Sequence, residues 1–144
     1  MIKFISKNPP MDRRAVPLDP ATVTTIAIKP GQVLKKAASG FALKADGAAV
    51  VGGPVWAFTD SSRTDVQAAK SLTVVDGPFV AEVDTDCYIG SPALDAALQI
   101  DTGANVGKVV TLAVTADATT LQAIVAYCTR TADADGFIEV KVIR

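Results

Sequence analysis

The chain of 144 residues has no histidine, two cysteines, one tryptophan and two tyrosines. Without His it lacks the commonest general base and metal ligand, which excludes every Ser-His or Cys-His nucleophile arrangement. Cys87 and Cys128 stand far apart with no CxxC, so they make no metal pair. They read as two buried small hydrophobes, with a disulfide between neighbouring strands as the alternative. Long apolar runs are missing too. Nowhere do about 18 apolar residues follow one another, and MIKFISKNPPMDRR lacks the apolar stretch of a secretory leader. The expectation is therefore no membrane span and synthesis in a cytosol. Gly52-Gly53 sits in neither a GxGxxG nor a GxxxxGK frame, and no nucleotide cofactor is indicated.

What is abundant is small. The chain holds 24 Ala and 18 Val against five Phe, so its core is assembled from side chains that each bury little area. One domain with one core is the expected size class. Charged residues make up 20%, below the usual quarter, and with the small core this points to a protein that covers further surface with a partner. Charge is uneven along the chain. Residues 1–44 carry eight basic residues against two acidic, a net of +6, and the remaining 100 residues carry −7. A basic lead on an acidic body suits an acidic protein surface. Nucleic acid is not the expected partner, because the first 40 residues hold a single aromatic, Phe4, and the Lys/Arg density is modest.

Residues 1–22 contain Pro9, Pro10, Pro17 and Pro20 among the apolar Ile2, Phe4, Ile5, Met11, Val16 and Leu18. Proline removes donors and holds its predecessor extended, so neither a helix nor a central strand fits. The segment reads as an extended N-terminal arm that docks either on its own body or across a subunit boundary, and residues 23–144 read as the β domain. Thr22–Ile28 is strand-like. Lys29-Pro30-Gly31 turns into a strand over Gln32–Lys36, and Gly40–Lys44 makes another. Val50–Ala57 and Val74–Ala81 share the pattern VVxGPxxA, which reads as equivalent turn chemistry, with Pro opening a strand and Trp56 and Phe79 in or beside the core. Asp60–Lys70 reads as a loop with one helical turn. Gly90–Ile100 reads as a short helix or turn, with Ser91 as the cap and Pro92 at the first helical position, followed by a strand, and Lys108–Thr115 as a strand.

The C-terminal stretch is the best defined. LQAIVAYCTR from Leu121 and FIEVKVIR from Phe137 read as two strands folded back on each other. Ile138, Val140 and Val142 alternate with Glu139 and Lys141, the pattern of one buried and one wet face. Asp133, Asp135 and Gly136 supply the hairpin loop. Short strands punctuated by Gly, Pro and Asp predict an all-β barrel or sandwich.

Two acidic constellations compete with these structural readings. Asp84 and Asp86, two apart on one strand face, form a possible carboxylate pair, but no third group is placed beside them and a solvated strand face is the better reading. Asp133-Ala134-Asp135-Gly136 with Glu139 is too short for a twelve-residue calcium loop, so the hairpin reading prevails. No catalytic, cofactor-binding or metal site is expected, and no small-molecule substrate.

Four segments together resemble the capsid decoration, or cement, proteins of tailed bacteriophages: PGQVLKK (30–36), SLTVVDGPFVAEVDTDCY (71–88), LQAIVAYCTR (121–130) and DGFIEVKVIR (135–144). The resemblance implies a small β-barrel or β-tulip-like sandwich without enzymatic activity. It also implies attachment to the outer surface of the major capsid protein lattice, often as a homotrimer, after synthesis in a host cytoplasm. The arm then supplies the candidate contacts with capsid or sister subunits: Ile2, Lys3, Phe4, Ile5, Lys7, Pro9, Pro10, Met11, Arg13, Arg14, Val16 and Leu18. A binding module that recognises a host surface ligand is the alternative, and it requires an aromatic platform from Trp56, Tyr88 and Tyr127. A small enzyme built on Asp84 and Asp86 is the more distant one.

Overall fold

The computed structural model describes residues 2–5, 13–20, 27–37, 39–43, 54–101, 105, 107–113 and 118–143. In chain order the elements are β1 (Ile2–Phe4), β2 (Arg13–Pro17), β3 (Val33–Ala37), β4 (Gly40–Leu43), β5 (Val55–Ala57), α1 (Thr64–Ala69), β6 (Ser71–Asp76), β7 (Phe79–Val83), β8 (Ala97–Ile100), β9 (Val109–Thr111), α2 (Ala118–Ala123), β10 (Ala126–Arg130) and β11 (Ile138–Val142). The strands form two antiparallel sheets. One has six strands in the order β1-β7-β11-β10-β8-β9, and the other five in the order β2-β6-β5-β3-β4. The fold is all-β and sandwich-like; of the two architectures expected, the closed barrel is absent among the described residues.

The alternating strands face one core. Phe79, Ala81 and Val83 of β7 and Ile138, Val140 and Val142 of β11 turn inward from the six-stranded sheet. They meet Val33, Trp56 and Val75 from the five-stranded sheet, and Trp56 packs edge-to-face on Phe79 at 5.7 Å. This bears out the placing of both aromatics in the core.

The five-stranded sheet buries its other face as well. Val16, Leu34, Val55, Ala57, Leu72 and Val74 point away from the first core and pack with Leu18, Ile28 and Val66 of α1. Burial on both faces is why VWA and SLTVVD do not show clean alternation. This sheet also curls, since its edge strand β4 reaches the far end of β2 through a parallel Leu18–Phe41 bridge and an Asp19 amide bond to the Phe41 carbonyl at 2.9 Å.

Several expectations are corrected. Leu121–Ala123 belongs to α2, not to the strand that follows, because a helix spans Ala118–Ala123 and β10 starts only at Ala126. Of the short helix or turn expected after Ser91 and Pro92, the structure has the turn, with Asp95 at φ 64°, and it leads into the expected strand, β8. The strand over Lys108–Thr115 shortens to Val109–Thr111, with Thr115 outside the described residues. Ala27 and Ile28 are not strand, although Ile28 is buried, and 22–26 lie outside the described residues, as do Lys44 and Val50–Gly53 of the first VVxGPxxA copy. In the second copy, Gly77-Pro78 carries the chain from β6 in one sheet to β7 in the other. The single helical turn expected between Asp60 and Lys70 is α1, which ends at Lys70 in the left-handed conformation.

Candidate partner-contact surface

Within the N-terminal segment β1 and β2 are extended, and both are edge strands, whereas Pro20 is helical, contrary to the expectation of an arm extended throughout. β1 lies antiparallel on β7, with Ile2 opposite Val83 and Phe4 opposite Ala81. β2 lies antiparallel on β6, with Arg13 opposite Val75 and Pro17 opposite Ser71. Since β6 and β7 are consecutive but belong to different sheets, the segment runs antiparallel along both and contributes an edge strand to each. Eight residues, 5–12, join its two strands where only Gly77 and Pro78 join β6 to β7, so the N-terminal side carries the surplus length.

The twelve candidate contact residues therefore fall into different environments. Lys7, Pro9, Pro10 and Met11 lie outside the described residues. Val16 and Leu18 are buried in the second core at 1% and 3% exposure and are not available to a partner. Ile2 packs partly buried against the first core, and Phe4 takes its place in β1 opposite Ala81. Lys3, Ile5, Arg13 and Arg14 remain exposed.

Each exposed cation is oriented by the body. The Lys3 Nζ lies 4.2 Å from the Phe137 ring centre and 4.0 Å from Glu82. Arg14 donates two hydrogen bonds to the Asp76 carboxylate, at 2.8 and 3.3 Å, and these raise its guanidinium above the ordinary value. Arg13 lies over the Phe58 ring at 4.2 Å. Stacking on an aromatic face fixes where the charge points and leaves it accessible.

The outer face of the six-stranded sheet beside β1 is a charge ladder. Glu82 and Glu139 are directly opposite, an unfavourable like-charge pair by itself. Arg130 closes on Glu82 at 2.8 Å, Lys3 approaches from the other side, and the Thr129 hydroxyl donates to Glu139 at 2.7 Å. Arg130 reaches this position through a bulge between Cys128 and Arg130 that sets it opposite Glu139.

The competing constellations resolve into structure. Asp84 and Asp86 do not share a strand face, because β7 ends at Val83 and they lie in the turn after it. There the Asp86 amide donates to the Asp84 carboxylate at 3.1 Å, and the Cys87 amide to the Asp84 carbonyl at 2.9 Å. Asp133 does the same work in the hairpin, accepting from the amides of Asp135 and Phe137 at 3.0 and 2.9 Å, with Gly136 at φ +80°. Among the described residues no group of His, Cys, Asp and Glu is placed to hold a metal. Both cysteines are free and buried, as the reading of small hydrophobes expects. Desolvation pushes the Cys87 thiol up to about 12, and that of Cys128 upward as well.

Of the three aromatics required for a platform, Trp56 and Tyr88 are buried, and the Tyr88 hydroxyl is spent on the Gly136 carbonyl at 2.7 Å. Tyr127 alone is half-buried on the outer sheet face, beside Lys141. No described helix is long and apolar enough to cross a membrane.

By fold the chain is an all-β sandwich whose N-terminal segment edges both sheets. No protein-family model matches it, and no curated protein matches it in sequence.

Proposed function

We propose that this chain is a structural virion protein that binds the outer surface of a major capsid protein lattice and stabilises the head, seated there as a homotrimer. The observation that carries the reading is the N-terminal segment. It leaves Lys3, Ile5 and Arg13 exposed on the edge strands of the two sheets, each held by body contacts or strand pairing. A partner lattice presents the same patch many times, so modest contacts per copy add through avidity. The sandwich supplies the stiff support that keeps those contacts in register, and the basic lead favours an acidic shell surface.

Co-sedimentation with undecorated capsids of the same source tests the reading. Whole deletion of the segment is a poor probe, because Val16 and Leu18 are core residues and their loss disturbs the body. The better probe is the folded double variant Lys3→Glu with Arg13→Glu. The wild-type chain is expected to pellet saturably at a fixed ratio to capsid protein, and the double variant to lose at least about tenfold in affinity, the loss of two charge-assisted contacts. Failure of the wild-type chain to pellet, or undiminished pelleting of the variant, overturns the assignment.

A further inference from the structure

We propose that the Arg13–Ala15 edge of the five-stranded sheet accepts an extended, acidic segment of a partner chain as a sixth strand. The inference rests on reading the N-terminal strands as the attachment element. In the β2–β6 ladder the Leu18 amide donates to the Lys70 carbonyl at 3.0 Å, which fixes the parity of the pairing. Arg14 and Val16 then turn their backbone groups toward β6, while Arg13, Ala15 and Pro17 turn theirs outward. Pro17 occupies one of the outward positions, where its missing N–H costs the ladder nothing. The end beyond it is covered by the Leu18–Phe41 bridge. Arg13 and Ala15 are exposed, and among the described residues no strand pairs with the side of them away from β6.

The same residues select what can pair. Two copies aligned antiparallel about Ala15 place Arg13 of each opposite Pro17 of the other, where no donor exists, and proline and charge are the usual guards of an open edge. An acidic strand meets no such obstacle. Arg14 is already matched by Asp76, whereas Arg13 has no carboxylate partner among the described residues and is held beside the edge by Phe58. The edge therefore disfavours its own kind and offers one uncompensated cation to a strand of opposite sign.

The test is an NMR titration of the full chain with a short synthetic peptide alternating Glu and Thr, and with its Lys counterpart. The acidic peptide is expected to shift the Arg13 and Ala15 amides and slow their hydrogen exchange, binding at least about tenfold tighter than the Lys peptide. Ala15→Pro removes an outward donor without touching the ladder to β6 and is expected to weaken binding at least about tenfold. If that variant does not fold, an acidic peptide N-methylated at alternate residues makes the same test on the unaltered chain. Equal binding of both peptides, no binding of either, or unchanged binding by Ala15→Pro or by the N-methylated peptide overturns the proposal. The capsid assay separates the two readings. If the chain pellets with capsids while the titration fails, strand addition falls and the cement reading stands. If the titration succeeds and the chain does not pellet, the cement reading falls and the edge stands.

Discussion

Gly40 shows how one residue holds the curled sheet together. Its φ is +143°, and a Cβ there would lie 2.6 Å from the Leu18 carbonyl carbon and from the Asp19 amide nitrogen. These are backbone atoms fixed by the β2–β4 contact, so neither can step aside, and the conformation is one that L side chains rarely adopt. Gly40→Ala is expected to destabilise the chain by about 1–3 kcal/mol, measured by urea denaturation, by forcing β4 off the end of β2. The GF step was legible as a strand start. Its reason was not, since Leu18 lies 22 positions earlier in the chain.

At the scale of the element, the C-terminal hairpin is the part most fully written in local chemistry. Alternation in FIEVKVIR assigns the buried face, and Asp133 and Gly136 supply the loop bonds. The Phe137 amide first, then Asp135 and Arg130, hold the Asp133 carboxyl below the ordinary range against its own desolvation. A carboxyl depressed in the folded state stabilises above its unfolded value of about 4, and that contribution is lost as pH falls through the folded value. Acidification below about pH 4 is therefore expected to raise hydrogen exchange at the Phe137 and Asp135 amides before the β10–β11 ladder loosens. Asp133→Ala is expected to show the raised exchange at neutral pH, and equal protection in the variant would contradict the role. Asp84 and Asp86 looked like a strand pair because FVAEVDTDCY keeps alternating polarity past Val83. The Asp84 side chain captures the Asp86 amide and turns the chain instead.

For the whole molecule, the N-terminal segment adds an edge strand to each of two sheets that already meet in the first core. β1 completes one sheet and β2 the other, while Val16 and Leu18 enter the second core. Leu18→Ala is expected to cost about 2–5 kcal/mol. Unfolding by denaturant should remain a single transition, with Trp56 fluorescence and far-UV circular dichroism coincident, because both cores share the five-stranded sheet. Separate transitions for the two probes would show that the cores fold independently.

By itself the sequence determined the β class, the alternating strands of the six-stranded sheet and the terminal hairpin. These follow from side-chain period and turn residues, both of which act over a few residues. Only the tertiary structure decided that the sheets form a sandwich instead of a closed barrel, that one sheet is buried on both faces, and that Val16 and Leu18 belong to the core. It also decided that Arg14 is matched by Asp76 while Arg13 stays outward on Phe58. Those outcomes rest on contacts between residues more than 20 positions apart, such as Leu18 with Phe41 and Arg14 with Asp76, and no local pattern in the chain encodes which distant surface a segment will meet.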